Sequence, residues 1–413
     1  MAAAKTDRCL PCARRRGDFI RMTYEELCDF EVLYAAYLAA RKGKRKKRRT
    51  AEFEANLLDN LQSILEQLSD GTYQPGEFEN FKIFEPKKRD IQAPAFQDKV
   101  VLHAITDNGL YDAITTGFVR NNCSNQKGKG TADAVIRLKQ CLVRYYAEYG
   151  TADGWVLKCD IHHFFASIDH DVIKAKLRRV FEKRGLDMRI YDLLMVYIDK
   201  TDGLPLGYQT SQLFALLMLD GLDHYIEEQR GFKYHVRGMD DFCVIANDKA
   251  DLKALLREIE HEVGDLKLEL NGKTAIFPLR CGLDFLGYHH YLTDSGAVIQ
   301  KLRRSSIKRI RARVKRWRHD YAEGKITAEE IRERFLAWDA HAAFGDSYSL
   351  RLKYAKQVSE IIGEPIKIHR KLNSTRAQRE ARRAKQDRCI ARKKQRAFAQ
   401  QAGYRSPDTP PWE

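Results

Sequence analysis

Residues 234–245 constrain the fold of this chain more than any other stretch. Two runs of β-forming residues, 234–237 and 242–245, flank an adjacent pair of acids, Asp240 and Asp241. This pattern predicts a β-hairpin that carries both carboxylates at its tip, facing a cleft. Adjacent carboxylates repel each other, and a hard divalent cation is a common way to neutralise them. The stretch alone leaves two interpretations open, a metal site and a solvated Asp-Asp turn.

The charge of the chain indicates a polyanionic partner. A net charge of +16 favours nucleic acid, with an acidic membrane surface as the second choice. With 413 residues, of which 44% are hydrophobic, the chain can form two or three structural units, and a wholly disordered protein is excluded. No apolar run is long enough to span a bilayer, and residues 1–10 lack a signal-peptide core. We therefore expect a cytoplasmic protein.

The cysteines predict no disulfide framework. Their number, nine, is odd, and they are scattered through a long chain, which favours reduced thiols. Cys9 and Cys12 form a Cys-x-x-Cys pair, but no second pair follows at zinc-finger spacing. We interpret this pair as incidental.

Basic residues are concentrated in three places. Residues 41–49 form a dense run between two predicted helices, 23–40 and 51–68, and this run is either a solvated loop or an arm that contacts phosphates. A glycine-lysine loop at 126–131 opens another predicted helix, a weak phosphate-binding signal. From Lys301 onward, Lys and Arg crowd a predicted helix with few apolar positions.

A third acid completes a possible metal site. Asp160 ends an apolar predicted strand and lies 80 positions before Asp240. If the two strands are neighbours in a sheet, Asp160 lies beside Asp240, and the carboxylates could hold two ions about 3.5–4 Å apart for in-line phosphoryl displacement. Oxygen ligands suit Mg²⁺. His162 and His163 are interpreted as structural, because adjacent side chains point in different directions.

Seven blocks, in order, resemble those of reverse transcriptases. The most specific is Gly238-Met-Asp-Asp241, at the position of the family's x-x-Asp-Asp box, and the other blocks are residues 84–94 with 98–101, 128–130, 158–169, 203–212, 268–274 and 285–287. The resemblance implies an α+β right-hand polymerase fold with fingers, an antiparallel-sheet palm and a helical thumb. It implies these boundaries: an N-terminal helix and basic arm (1–50), fingers (51–150), palm with inserted fingers helices (151–298), thumb (299–365) and a basic tail (366–413).

The resemblance also implies roles for particular residues. Two Mg²⁺ ions, with Mn²⁺ able to substitute, are expected on the carboxylates of Asp160, Asp240 and Asp241 and the carbonyl of Ile161. Lys273 is expected to protonate the leaving pyrophosphate or to hold the palm loop. The nucleotide-binding residues are expected to be Lys87, Arg89, Lys129, Phe165 (which excludes a ribose 2′-hydroxyl), Leu206, Gly207 and Gln212. Nucleic acid is expected to contact Arg45, Lys46, Lys47, Arg303, Arg304, Lys308, Arg311 and Lys315.

Within the family, the chain is most similar to the bacterial enzymes of diversity-generating retroelements, with group II intron enzymes as more distant relatives. Residues 206–212, Leu-Gly-Tyr-Gln-Thr-Ser-Gln, have an aliphatic residue before Gly and Gln after Ser, as in that group. There the aliphatic residue accompanies poor fidelity opposite template adenines, and Leu206 offers no hydrogen-bonding group. The resemblance thus implies an error-prone RNA-directed DNA polymerase that copies a retroelement RNA into cDNA. Its expected partners are an RNA template, a DNA or RNA primer, dNTPs and a small basic accessory protein.

One departure and two alternatives stay open. The family usually has an aromatic residue where this chain has Gly238, and we expect a more flexible hairpin there. The first alternative is a reverse transcriptase of anti-phage defence that uses a non-coding RNA template. The second is a non-catalytic RNA-binding scaffold.

Overall fold

The structure is a computed structural model that describes residues 23–84 and 89–369, with the backbone alone for residues 89 and 90. The chain divides into two compact units that are interleaved in sequence. The first unit comprises the described residues up to 125 together with 155–277, and the second comprises 126–154 and the residues from 278 onward. Many helices combine with antiparallel strand pairs, which confirms the predicted α+β class.

The helices and strands of the described residues are numbered in chain order. The α-helices are α1 (Tyr24–Leu27), α2 (Phe30–Ala40), α3 (Arg48–Ala55), α4 (Leu57–Ser69), α5 (Phe96–Ile105), α6 (Tyr111–Thr115), α7 (Thr131–Tyr149), α8 (Phe164–Ser167), α9 (His170–Arg184), α10 (Met188–Asp199), α11 (Gln209–Met218), α12 (Asp220–His224), α13 (Lys249–Asp265), α14 (Arg304–Ala322), α15 (Ala328–Ala342) and α16 (Tyr348–Ile362). The strands are β1 (Glu79–Ile83), β2 (Arg89–Ala93), β3 (Trp155–Asp160), β4 (His235–Gly238), β5 (Asp241–Ala246), β6 (Ala275–Pro278), β7 (Leu283–Phe285), β8 (Tyr288–Leu292) and β9 (Val298–Leu302).

Capping residues set the boundaries of the first two helices. The Thr23 hydroxyl accepts a hydrogen bond from the Glu26 N–H, and the Glu26 carboxylate accepts one from the Thr23 N–H, so the two residues form a capping box. The single helix expected here is divided, because the Asp29 carboxylate accepts hydrogen bonds from the N–H groups of Glu31 and Val32 and starts α2.

The main sheet of the first unit has the strand order β4-β5-β3-β6. Both β3 and β4 pair antiparallel with β5. Because alternate side chains of a strand point to opposite faces, one face of β3 and β5 joins the hydrophobic core through Leu157, Cys159, Phe242 and Val244. The polar residues Lys158, Asp160 and Asp241 therefore share the opposite face.

The helix that follows residues 203–208 lies inside the core of the first unit. The sequence predicts one helix over residues 213–228. In the structure α11 begins at Gln209 and ends at Met218, and α12 and a π-helical turn at Tyr225–Gln229 follow. Residues 213–218 of α11 are apolar on all sides, and all of them are buried. Because these six residues have no polar side chain, this part of α11 is stable only in the interior, and its burial holds the segment that precedes the helix in place.

The second unit combines α7, the sheet β7-β8-β9 and the helices α14, α15 and α16. Helix α7 begins at Thr131, as predicted from the glycine-lysine loop before it. In α14 the buried side chains Ser306, Ile310, Val314 and Trp317 follow helical spacing and form one stripe. Its apolar members join a core with residues of α15 and α16.

Several predictions fall on residues that the structure does not describe. Cys9, Cys12, Lys87 and the tail from residue 370 lie outside the described ranges, so the predictions made for them stay predictions. No helix within residues 23–84 and 89–369 combines the length and the apolar character needed to cross a membrane.

Candidate active site

The predicted hairpin is present, and its turn consists of two residues. Gly238 at the end of β4 pairs with Asp241 at the start of β5, which leaves Met239 and Asp240 as the turn. Asp240 therefore lies in the turn, whereas Asp241 is the first residue of a strand. The left-handed backbone of the turn falls on Met239, with φ 71°, and Gly238 is an extended strand residue. Gly238 therefore does not use the left-handed conformations that glycine allows.

Two of the predicted carboxylates lie directly opposite each other. In the pairing of β3 with β5, the partner of Asp160 is Asp241, and not Asp240 as the sequence suggested. Side chains opposite each other on antiparallel strands share one face and have Cβ atoms about 4.5–5.5 Å apart. Lys158 projects from the same face of β3, and its ammonium group forms an ion pair with the Asp241 carboxylate.

The residues at this strand end fit a divalent metal ion in chemical terms. Asp160, Asp240 and Asp241 supply carboxylate oxygens, the ligands that hard divalent cations prefer. The main-chain carbonyl of Ile161 could add one more oxygen. The Lys158 ammonium that contacts Asp241 provides positive charge at this face, as a metal ion would do.

The three carboxylates do not yet converge on one point. Within the described residues, His319, Asp320 and Glu323 of the second unit form a group whose ligand atoms all lie within 4.8 Å of one another. Asp160, Asp240 and Asp241 do not form such a group. That group is a surface charge cluster, since Arg316 and Lys325 form ion pairs with its two acids. At least one of the three Asp side chains at the hairpin must therefore change position before they share an ion.

A short loop is anchored to the end of β3. The Asn271 N–H donates to the Asp160 carbonyl at 2.7 Å, and the His162 N–H donates to the Glu269 carbonyl at 2.9 Å. Lys273 follows in the turn, where its N–H donates to the Asn271 side chain at 3.1 Å, and its own side chain is exposed. Lys273 thus lies two residues after Asn271, whose N–H is hydrogen-bonded to the Asp160 carbonyl.

A cleft of about 500 Å³ opens in the first unit. Phe165 and Leu206, which were predicted to contact the nucleotide, both line it. The other lining residues come from the β1–β2 hairpin and from the segments on either side of these two residues: Asn80, Phe81, Lys82, Ile91, Gln92, Ala166, Asp202, Leu204 and Pro205. The size of this cleft is typical of sites that bind small molecules.

Two glycines allow the walls of the cleft to approach each other. A Cβ atom on Gly203 would lie 2.6 Å from the Phe165 carbonyl oxygen, and φ at Gly203 is 60°, a conformation that favours glycine. A Cβ atom on Gly207 would lie 2.1 Å from the Gln92 carbonyl oxygen of β2. The Leu204 N–H also donates to the Phe165 carbonyl at 2.8 Å. These close backbone contacts fix Leu206 against Phe165 and β2.

A buried network of hydroxyl groups supports the same segment. The Tyr73 hydroxyl donates to the Asp98 carboxylate at 2.8 Å, and the Tyr197 hydroxyl donates to that of Tyr73 at 3.1 Å. Tyr208, next to Gly207, packs edge-on against the ring of Tyr197. Burial raises the pKa of the Asp98 carboxyl above its ordinary value of 3.8, and burial likewise raises the pKa of the Tyr208 phenol.

Other predicted nucleotide-binding residues are not among those that line this cleft, or are only partly described. Arg89 belongs to β2, but only its backbone is described. Gln212 is an exposed residue of α11. Lys129 lies in the second unit, in the loop before α7.

The predicted nucleic-acid contacts are exposed in both units. Arg45, Lys46 and Lys47 lie in the loop between α2 and α3, where Arg45 forms an ion pair with Glu54. In the second unit, four of the exposed basic residues of α14 recur every three or four positions and form one stripe, which we call the basic stripe: Arg304, Lys308, Arg311 and Lys315. Arg303, directly before this helix, forms an ion pair with Asp284.

Sequence reasoning missed some residues that contribute to the site. Lys158 could have been found, because a residue two positions before Asp160 on a strand shares its face. Asn80, Lys82 and Gln92 carry no comparable signal, since their position depends on the packing of the hairpin against distant residues.

The match to known proteins covers the three carboxylates and the cleft residues Phe165 and Leu206. Residues 86–290 match the reverse transcriptase (RNA-dependent DNA polymerase) family. No curated protein matches the chain.

Solved telomerase structures show partial similarity. Telomerase from Candida albicans, in complex with the TWJ fragment of telomeric RNA, is 12% identical, with 71% of this chain and 56% of that chain covered and a TM-score of 0.41. Apo telomerase from Candida tropicalis is 13% identical, with 74% and 66% covered and a TM-score of 0.44. The chain spans less than two thirds of the length of each of these telomerases. On the family match, the chain carries over residues 86–290 a reverse transcriptase domain, the domain of RNA-directed DNA polymerases, which are nucleotidyltransferases and generally use divalent metal ions.

Proposed function

We propose that this protein is an error-prone RNA-directed DNA polymerase that copies a retroelement RNA into cDNA in a diversity-generating retroelement. The observation that carries the polymerase part is the pairing of Asp160 with Asp241, with Asp240 in the adjoining turn. The cleft lined by Phe165 and Leu206 supports it, because Phe165 follows Asp160 by five residues. RNA template, DNA or RNA primer and dNTPs are the proposed substrates.

The three carboxylates and the Ile161 carbonyl would hold two Mg²⁺ ions, with Mn²⁺ able to substitute. When bound, the ions would lower the pKa of the attacking hydroxyl group and neutralise charge on the phosphates. Lys273 is proposed to donate a proton to the departing pyrophosphate, for which its exposed side chain beside the Asp160 loop is suitable.

The remaining site residues are proposed to bind and select the nucleotide. Phe165 would exclude a ribose 2′-hydroxyl by contact with its ring, and its place in the wall of the cleft supports this role. Lys87, Arg89 and Lys129 would pair with the triphosphate. Gly207 and Gln212 are proposed to shape the nucleotide site from the segment that begins at Leu206.

Leu206 is the residue proposed to lower fidelity. It lines the cleft and offers neither a donor nor an acceptor to a base pair. The loss of one hydrogen bond that would test the geometry of the base pair corresponds to about 1–3 kcal/mol, or roughly tenfold to a hundredfold in discrimination between correct and incorrect nucleotides. Leu206→Gln should therefore reduce misincorporation opposite template adenines, measured by sequencing cDNA made on a defined RNA. An unchanged error spectrum would contradict this proposal.

Basic residues of both units are proposed to hold the template–primer duplex. The basic stripe of α14, with Arg303, would follow the phosphates of the duplex as part of a helical thumb, and Arg45, Lys46 and Lys47 would contact the template from the N-terminal part. Helix α14 contains eight Lys or Arg residues and no acidic residue before Asp320. This charge supports a polyanionic partner.

Primer extension on an RNA template with Mg²⁺ tests the proposed activity. The parent protein should produce cDNA, and Asp240→Asn should abolish it, because the turn then loses a carboxylate. Asp59→Asn, an exposed acid of α4, is the matched control and should extend as the parent does. If the parent produces no cDNA with either Mg²⁺ or Mn²⁺, the scaffold interpretation replaces the proposal.

The biological role is tested separately. A retroelement role requires paired near-repeats in the genome that differ at adenines, and a gene for a small basic accessory protein nearby. Their absence would favour an anti-phage reverse transcriptase that uses a non-coding RNA, the alternative with the same catalytic core.

A further inference from the structure

A buried ion pair lies directly behind the hairpin that carries Asp240. The side chains of Arg237 in β4 and Asp223 in α12 are both fully buried. The Arg237 Nε donates to Asp223 Oδ1 at 2.7 Å, and its Nη2 donates to Oδ2 at 2.5 Å. Such a two-point pair fixes the plane of the guanidinium as well as its position.

The same guanidinium also holds the turn of the hairpin. Its Nη1 donates to the carbonyl oxygen of Met239 at 2.9 Å, and its Nη2 donates to the Leu216 carbonyl of α11 at 3.3 Å. One rigid group thus connects Asp223, the core helix α11 and the residue that directly precedes Asp240. Only arginine, with donors on both edges of a plane, can reach all three acceptors together.

The strand that carries Arg237 is itself held on its other side. The Arg237 N–H donates to the Asn121 carbonyl at 3.0 Å, and the Cys123 N–H donates to the Arg237 carbonyl at 3.0 Å. Two positions before Arg237, the buried His235 contacts Glu227 at 3.0 Å. Alternate residues of β4 therefore face two acids that lie four positions apart, Asp223 and Glu227.

The turn needs such support because Met239 has a left-handed backbone. A φ of 71° is uncommon for a residue with a side chain and persists only where surrounding contacts favour it. The bond from Arg237 to the Met239 carbonyl is a contact of this kind. The network and the turn conformation are independent observations that point to the same role.

We propose that Arg237 is a positioning residue that, held by Asp223, fixes the Met239 carbonyl and so sets the orientation of Asp240 for catalysis. This inference rests on the catalytic role proposed above for Asp240. It requires no change in nucleotide binding, because neither Arg237 nor Asp223 lines the cleft between Phe165 and the β1–β2 hairpin.

Two variants separate the positioning role from a role in stability alone. Arg237→Lys keeps one positive charge near Asp223, but one ammonium group cannot also reach both carbonyl groups. Arg237→Met combined with Asp223→Leu removes both charges, a replacement that buried pairs often tolerate in stability. The matched control is Arg351→Met with Asp339→Leu, because that pair in the second unit is equally buried and equally bidentate.

The first measurement is hydrogen exchange of the amides in residues 238–241, which does not depend on activity. Both Arg237 variants should exchange these amides about tenfold faster, as expected for the loss of one hydrogen bond from a charged donor. The control pair should leave hairpin exchange as it is in the parent. Exchange that rises equally in all regions of the first unit would mean general destabilisation and would overturn the proposal.

The second measurement is steady-state primer extension. In both Arg237 variants kcat should fall by about tenfold or more, while the KM for dNTP stays within roughly twofold of the parent. A parent that extends primers, together with variants that match its kcat and its hairpin exchange, would refute the positioning role. A parent without activity would refute the proposed function instead, and hairpin exchange would still decide whether Arg237 fixes the turn.

Discussion

Replacing Gly207 with alanine tests whether the close contact between residues 204–207 and β2 shapes the nucleotide site. The added Cβ would lie 2.1 Å from the Gln92 carbonyl oxygen and 2.7 Å from Cδ of Pro94. Ordinary carbon–oxygen contacts are longer than about 3 Å, so one of the two backbone segments must move by on the order of 1 Å. The obstacle is main chain, which cannot turn aside as a flexible side chain can.

The expected cost follows from overpacking of a tight interface. Inserting a methyl group without space costs about 1–3 kcal/mol. If the packing around Gly207 and β2 holds, this cost lowers the free energy of unfolding. If β2 moves away from Gly207 instead, the cleft widens, and the same free energy reduces nucleotide affinity by roughly fivefold to a hundredfold.

Both outcomes can be measured on one pair of variants. Urea unfolding gives the free energy of unfolding of Gly207→Ala, and primer extension gives its KM for dNTP. Gly264→Ala in α13 is the matched control, because a Cβ there meets no atom within 4 Å and should stabilise the helix by up to about 1 kcal/mol. The reasoning is wrong if Gly207→Ala retains both the parent's unfolding free energy and its KM.

Three further predictions concern other parts of the chain. Phe165→Ala should weaken discrimination against ribonucleotides by roughly tenfold to a hundredfold, measured as the ratio of kcat/KM for dNTP and rNTP; an unchanged ratio would exclude the proposed role of the ring. A variant with Gln at all four positions of the basic stripe (Arg304, Lys308, Arg311 and Lys315) should bind a template–primer duplex with a weaker salt dependence. The slope of log affinity against log salt concentration should decrease in magnitude by up to roughly 4. A slope equal to the parent's would mean that the basic stripe contacts no phosphates. Burial raises the pKa of Asp98 in the folded state, so the stabilising contribution of this carboxyl is fully present below its ordinary pKa of 3.8 and is lost as pH rises through the folded-state pKa. Relative to Asp98→Asn, the parent should therefore lose unfolding free energy across that pH interval. Parallel pH profiles of the two proteins would contradict this.

Local pattern was sufficient to predict the hairpin and its acids. The β-forming runs on either side of Asp240 and Asp241 correspond to β4 and β5 within one residue at each end. The strand that ends in Asp160 agrees with the prediction as well, but its register against β5 makes Asp241 the partner of Asp160. The register of β3 against β5 depends on tertiary packing, because the two strands are far apart in sequence, and local pattern does not specify it.

Contacts between distant segments could not be predicted in this way. The pair formed by Arg237 and Asp223 requires that β4 pack on α12, and the contact of Gly207 with Gln92 requires that α11 be buried as it is. A signal for the first pair was present, because a charged residue within an otherwise apolar strand needs a buried partner. The identity of that partner depends on tertiary packing alone.

The two-residue turn between β4 and β5 limits how this region can vary in length. An insertion or deletion of a single residue that shifts β5 by one position against β3 would exchange the two faces of the strand. Phe242 would then lie on the face that carries Lys158 and Asp160, and Asp241 would face the hydrophobic core. The turn is therefore restricted in its number of residues, so among natural relatives that retain Asp160 and Asp241 the spacing from Gly238 to Asp241 should be constant.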